Sequence, residues 1–273
     1  MADEPPFDRE WLAGLRAGAT VAPLRPRVPL WAGQSVIGSV EADFLHQKCL
    51  QPFINGPHQL LKEEHPRELG WRLMGDVSVS LNKLAKLLHD AGLAGAWRNE
   101  QLAVHDQFDH FKGTVERAAV RPLGIATTAV HLVGQAPDGR FWCQQRSFRK
   151  SNDPGLWDTL MGGMVSSADT VESALARETW EEAGLKVADL QPLRYGGRLT
   201  TRRPAADGNG SGYVIEDIDW YRCTVPEGLQ PENRDGEVEQ FVLMDTQQML
   251  RKMEQGGFTT EAALILADAL QLV

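Results

Sequence analysis

Residues 162–185 read Gly162-Gly163-Met164-Val165-Ser166-Ser167-Ala168-Asp169-Thr170-Val171-Glu172-Ser173-Ala174-Leu175-Ala176-Arg177-Glu178-Thr179-Trp180-Glu181-Glu182-Ala183-Gly184-Leu185. The stretch predicts a helix from Asp169, whose carboxylate can cap it with Glu172 closing a reciprocal capping box, to Gly184, which can take the left-handed turn that ends it. At about 100° per residue, Glu178, Glu181 and Glu182 share one arc of the helix surface. Val171, Ala174 and Leu175 fall on the same arc, so the carboxylates continue an apolar face. Three like charges at neighbouring, partly buried positions repel one another and lose hydration. A divalent cation among them removes that conflict, and oxygen donors at this density suit Mg²⁺ or Mn²⁺. The plain alternative is a solvated acidic helix end helped by Arg177. The apolar arc weighs against it, as does the Gly162-Gly163 pair, which we read as a sharp turn that lets the backbone approach a ligand closely.

Working outward, apolar runs at 127–133 and 141–145 flank Gln135-Ala136-Pro137-Asp138-Gly139, a hairpin signal. A strand over 157–161, strands near 190–199, 213–223 and 238–243, and helices over 245–254 and 259–271 complete an α/β unit. Upstream, 7–18 reads as helix and 28–36 as short strands around Ala32-Gly33. Residues 80–91 read as a helix capped by Ser80, with Leu81, Leu84, Leu87 and Leu88 as its apolar stripe and Gly92 closing it. We place the boundary near residue 120: a smaller α+β domain over 1–120 and an α/β domain over 121–273. The leucine stripe reads as core, with association of the N-terminal region, a homodimer included, as the other reading.

The chain has 273 residues and a formal charge of −9, with no basic run longer than Arg202-Arg203. That excludes a polymeric nucleic-acid partner but admits a small phosphorylated one whose charge a bound cation masks. Cys49, Cys143 and Cys223 stand far apart and form no CxxC, which points to reduced thiols and a cytoplasmic location. The acidic Met-Ala-Asp-Glu-Pro-Pro start lacks the apolar region of a signal peptide, and no run is apolar enough to span a membrane. Six of the seven histidines precede residue 120, leaving His131 alone after it, so carboxylates are the expected catalysts of the second half.

Gly163, Asp169 and Arg177-Glu178-Thr179-Trp180-Glu181-Glu182-Ala183-Gly184-Leu185 resemble, at matching offsets, the Nudix box Gly-x5-Glu-x7-Arg-Glu-U-x-Glu-Glu-x-Gly-U, with U aliphatic. Asp169 stands where the family has Glu, and Thr179 where it has an aliphatic residue. The resemblance implies an α/β/α sandwich around a mixed sheet. It implies Mg²⁺ (or Mn²⁺) held mainly by Glu178 and Glu182 with Glu181 sharing, and Arg177 orienting the glutamates. It also implies attack of water on a phosphorus of a small-molecule diphosphate. Glu182, or Glu237 or Glu239 in the 235–239 loop, is the implied base. Arg146, Arg149 and Lys150, with the Gly162-Gly163 backbone, are candidates for contacting the substrate. Gly155-Leu156-Trp157-Asp158 resembles the branch related to isopentenyl diphosphate isomerase. That activity needs a cysteine shortly before the glycine pair, and Thr159, Leu160 and Met161 stand there instead. The first 120 residues together with this box, through Trp97-Arg98-Asn99-Glu100 and Asp235-Gly236-Glu237-Val238-Glu239, resemble an uncharacterised region (a domain of unknown function) that precedes some Nudix domains, including the Nudix half of certain fungal thiamin pyrophosphokinases. The substrate classes implied are therefore nucleoside diphosphate derivatives and thiamin diphosphate-like compounds. A non-catalytic diphosphate-binding regulator on the same scaffold is the alternative, and the presence of all three box glutamates weighs against it.

Overall fold

A computed structural model describes residues 8–46, 60–65 and 68–272, with the backbone alone at 60–65 and 68. Cys49 and His58 lie outside the described residues.

The C-terminal part is built on a mixed seven-stranded sheet: β7 (Thr127–Gln135), β8 (Phe141–Arg146), β9 (Trp157–Asp158), β10 (Met161–Met164), β11 (Arg194–Ala205), β12 (Gly212–Thr224) and β13 (Val238–Met244). Strand β12 runs parallel to β7, and the remaining pairings are antiparallel. Two-residue alternation along β7 sends Val130 and Leu132 to one face and Ala129 and Val133 to the other. The first pair packs with Ala174, Leu175 and Ala183 of the helix α3 (Val171–Ala183). The second pair packs with Leu250 of α4 (Thr246–Glu254) and Ala262 and Ile265 of α5 (Thr260–Ala269). The result is the α/β/α sandwich that the sequence led us to expect. α1 (Arg9–Ala19), capped by Asp8, joins the α5 side through Leu12.

The N-terminal part is α+β. A four-stranded sheet in the order β2 (Ser35–Glu41), β1 (Arg27–Ala32), β4 (Glu68–Leu73), β3 (Leu60–His65) shares a core with α2 (Val77–Asp90) and the hairpin β5 (Gln101–His105) and β6 (Phe111–Glu116). Leu81, Leu84 and Leu88 are fully buried in that core, so the stripe is packing. The helix begins earlier than we read it: Asp76 is the cap, accepting from Val79 N at 2.9 Å, while Ser80 is buried and donates to Met74 O. An Asp at the true N-cap offers a stronger acceptor than Ser80, whose hydroxyl is used one turn later. The two parts meet at Arg27, whose guanidinium donates to Ser211 O in the β11–β12 connection and to Pro122 O ahead of β7.

Two corrections concern the segment before α3. The strand expected over 157–161 is two short strands, and Gly162-Gly163 is not a turn but part of β10, paired with His131 and Val130 of β7. Both glycines are there for close approach. A Cβ on Gly162 would meet the His131 ring, and one on Gly163 would overlap the Glu178 carboxylate.

On the β11–β12 pair, Asp219 accepts from Arg198 Nε (2.9 Å) and Nη2 (2.7 Å) and from Tyr195 Oη (2.9 Å). The Arg198 bonds, chiefly, hold its carboxyl below the usual range against the opposing effect of burial. A depressed carboxylate contributes stability above its unfolded pKa, about 4, and loses it as pH falls through the lower folded value. Asp219→Asn should therefore cost about 1–3 kcal/mol at neutral pH. The gap to wild type should close below about pH 4 in thermal melts.

Candidate active site

The helix α3 starts one residue later than we expected. Thr170 is its cap, exchanging bonds with Ser173 in a capping box. Asp169 is drawn away from the helix end by Arg177, two turns on, which donates to it from Nε at 3.0 Å and Nη2 at 2.8 Å. Burial works to raise the Asp169 carboxyl, but the bonds from Arg177, Ser166 and Ser173 together hold it below the usual range. The shorter acid thus still reaches the arginine. Thr179 is buried, and its hydroxyl is satisfied by Leu175 O at 2.6 Å, so a polar residue fits an aliphatic position.

Arg177 Nη1 also donates to Glu178 Oε1 at 2.9 Å and Glu181 Oε2 at 3.0 Å. Glu182 is the most enclosed of the three, 2% exposed. Its Oε2 accepts from Gln144 Nε2 at 2.9 Å and Gly162 N at 3.1 Å, and its Oε1 from Lys150 Nζ at 3.4 Å. Burial pushes Glu182 upward against the pull of Lys150. Burial, then the charge of Glu182, pushes Glu178 up to about 7 despite Arg177. Two acids made reluctant to ionise are the expense of packing carboxylates onto an apolar arc.

The end of α3 builds the rest. Gly184 takes φ 64°, and the free carbonyls of the last turn accept from the following loop: Ala183 O from Glu232 N (2.8 Å) and Glu181 O from Arg234 N (3.2 Å). Arg234 stacks over the Trp180 ring at 4.1 Å. This stitching carries Asp235 and Glu237 to Glu182, and ligand oxygens of these three acids lie within 4.8 Å of one another. Lys150 Nζ pairs with Glu237 Oε2 at 2.6 Å as well as with Glu182. It holds Glu237 below the usual range against burial, which acts first and in the other direction.

One cleft contains Gly162, Gly163, Glu178, Glu181, Glu182, Arg177, Glu237, Arg146 and Lys150. Arg146 donates to Asp158 Oδ2 at 3.2 Å. Glu239, exposed on β13, and Arg149, exposed after β8, are not among the residues that line it. Sequence reasoning passed over Asp235 although it quoted the loop. It also set His131 aside, yet that ring lines the cleft and meets Thr159 Oγ1 at 2.9 Å and Asp158 at 3.5 Å. Glu100, Arg117 and Arg121, all upstream of β7, reach the same cleft; Glu100 ends the quoted Trp97–Glu100 stretch, and no motif marks the two arginines.

Glu182, Asp235 and Glu237, already drawing in an ammonium group, bring together hard oxygen donors of the kind that fit a divalent cation such as Mg²⁺ or Mn²⁺. Gln144 Oε1, buried without a hydrogen-bond partner among the described residues, adds a neutral oxygen beside Glu182.

A family model described as the NUDIX domain matches residues 125–263. Nudix hydrolase 20, chloroplastic, of Arabidopsis thaliana is 30% identical over 207 residues, which cover 71% of this chain and 52% of the relative. Uncharacterized protein YJR142W of Saccharomyces cerevisiae is 26% identical over 206 residues, 70% of this chain and 60% of the relative. The chain therefore spans only 52% and 60% of the lengths of these relatives. Both likenesses cover more residues than 125–263 contains, so they extend outside the domain. The crystal structure of DR0079 from Deinococcus radiodurans is similar at 21% identity and a TM-score of 0.49, covering 61% of this chain and 98% of that one. With the glutamate helix in place and half of the chain matched by the domain model, the protein belongs to the Nudix family.

Proposed function

We propose that the chain hydrolyses a diphosphate linkage in a small molecule, with Mg²⁺ (or Mn²⁺) held by Glu178 and Glu182 and with Glu181 at the rim. The observation that carries this reading is Glu182, almost fully buried yet surrounded by Glu178, Asp235 and Glu237 in an open cleft. When bound, the ion would supply charge neutralisation at the phosphoryl oxygens and lower the pKa of water. Arg177 fixes the carboxylates. Glu237, kept ionised by Lys150 and half exposed, accepts the proton of the attacking water, while Arg146 and Lys150 offset substrate charge. Glu239 and Arg149 have no part in this assignment because of where they stand.

Nucleoside diphosphate derivatives and thiamin diphosphate-like compounds are the substrates to try. Release of orthophosphate or a monophosphate from such a panel, with Mg²⁺ or Mn²⁺, is the expected result. No turnover of any member would overturn the proposal. We also propose the division near residue 120 as a folding division, with α1 attached to the second unit. Buried free thiols at Cys143 and Cys223, the latter pushed up to about 12 by burial, are consistent with a reducing, cytoplasmic setting. No helix among the described residues is long and apolar enough to cross a membrane.

A further inference from the structure

The Trp97-Arg98-Asn99-Glu100 stretch has no role in the chemistry above, yet it adjoins the cleft. Its turn is fixed locally: Asn99 has φ 56° and accepts from Trp97 Nε1 at 2.8 Å. Arg98 N donates to the buried Glu116 at 2.8 Å, and the Arg98 guanidinium lies 3.4 Å from Ser151 Oγ and 4.0 Å from Glu237. Glu100 then sets Arg117, accepting from its Nη1 at 2.7 Å and from its backbone N at 2.9 Å. Arg117 opens a short helical turn (Arg117–Ala119) whose Ala118 and Ala119 are buried, which gives the arginine a rigid base. Arg121 follows one turn later and pairs with Asp207 at 3.3 Å.

Charge decides what these arginines are for. A diphosphate entering the cleft beside α3 meets Glu178, Glu181, Glu182, Asp235 and Glu237, five of the ten carboxylates that line it. The cations on that side are engaged: Arg177 with three acids, Lys150 with two, Arg146 with Asp158 and Asn152 O. Lys150 and Arg146 are also shielded, their side chains only 12% and 16% exposed. Arg117 and Arg121 are 38% and 30% exposed, and each has a single carboxylate partner among the described residues. A guanidinium has five N–H donors in a fork that matches phosphate oxygens, so one acid leaves donors to spare. Arg117 lines the same cleft as Glu178 and Glu237.

We propose that Arg117, at the end of the N-terminal region, and Arg121, at its junction with the second unit, grip the phosphate oxygens of the bound diphosphate, so that residues upstream of the family domain supply part of the active site. This rests on the diphosphate hydrolysis proposed above and extends it to residues outside the family domain. Glu100 and Arg98 act as positioning residues behind them.

The test uses the full chain and inorganic pyrophosphate with Mg²⁺, titrated calorimetrically. Arg117→Gln and Arg121→Gln should each weaken binding roughly ten- to a hundredfold, the range of a charged hydrogen bond. The same variants should raise KM for whichever panel compound turns over while changing kcat far less. Arg117→Lys, which keeps the charge but loses the fork, should fall between Arg117→Gln and wild type. Arg140→Gln, a charge loss on the distant β7–β8 hairpin, should bind as wild type does. Thermal melts of each variant show that it is folded. Wild-type affinity and KM in both Gln variants would overturn this inference and leave the hydrolase reading intact. So would equal losses in Arg117→Gln and Arg140→Gln. A wild-type protein that neither binds pyrophosphate nor turns over any panel compound would overturn both.

Discussion

Glu182→Gln should lower turnover roughly a hundred- to ten-thousandfold, the range associated with losing a positioned proton or charge group, while the protein still folds and binds diphosphate. The substitution preserves volume at a buried site. The amide oxygen can keep the bonds from Gln144 Nε2 and Gly162 N, but the new amide nitrogen faces the Lys150 ammonium. The chain then loses the charge around which Asp235 and Glu237 gather and beside which Glu178 stands in the cleft. Burial raises the Glu182 carboxyl, so in metal-free protein its ionised form works against folding above the ordinary carboxylate pKa. Removing that charge offsets the lost Lys150 contact, and the metal-free melting temperature should move little. Mg²⁺ should raise the melting temperature of wild type by mass action, about 2.7 kcal/mol at a hundredfold excess over Kd, and the variant's response should be much reduced. Rates and melts together also separate the two family readings. A hydrolase loses rate with the metal response, whereas a non-catalytic binder has no rate to lose.

The parts of this site that lie on one helix were legible in the sequence, because helical periodicity places side chains without reference to the rest of the chain. Glu178, Glu181, Glu182 and Arg177 stand together as their spacing requires, and Gly184 ends the helix. The start was misread because Asp169 and Thr170 can both cap; Thr170 forms the box with Ser173 while the Asp169 carboxylate is taken by Arg177, two turns along the same helix. Gly162-Gly163 was misread for a related reason. A glycine pair marks either an unusual backbone angle or a missing side chain, and only the packing of His131 and Glu178 shows that it is the second. Asp235 joins Glu182 through carbonyls freed at the end of α3, and Arg117 joins through the docking of one part on the other. Neither relation has a period or a fixed offset, so the sequence carries no local sign of it. Glu239 illustrates the reverse: two residues beyond Glu237 and just as acidic, it stands exposed where the β13 register shifts between Val238 and Gln240, and it does not line the cleft.

Gly163→Ala gives the sharpest separation of stability from function. Gly163 sits in β10 with ordinary extended backbone, so alanine meets no torsional penalty there, and a strand interior favours it over glycine. What the new Cβ meets is the Glu178 side chain: it overlaps Cδ and Oε1 and lies 2.6 Å from Cγ. These atoms belong to a side chain that can swing, so the fold yields at the carboxylate and not at the sheet. Glu178 would leave Arg177 Nη1, now at 2.9 Å, and shift by about 1 Å, a misplacement that costs a reacting site on the order of a hundredfold in rate. Metal affinity should fall with it, while the melting temperature changes by no more than about 1 kcal/mol of stability implies. Gly162→Ala, one residue away, should do the opposite. Its Cβ strikes the ring of His131, which is buried and tied to Thr159 Oγ1 and cannot swing clear. That variant should lose about 1–3 kcal/mol, as overpacked cores do. If the two alanine variants instead lose stability equally, or if Gly163→Ala keeps full rate, then the place beside Gly163 is not where Glu178 works.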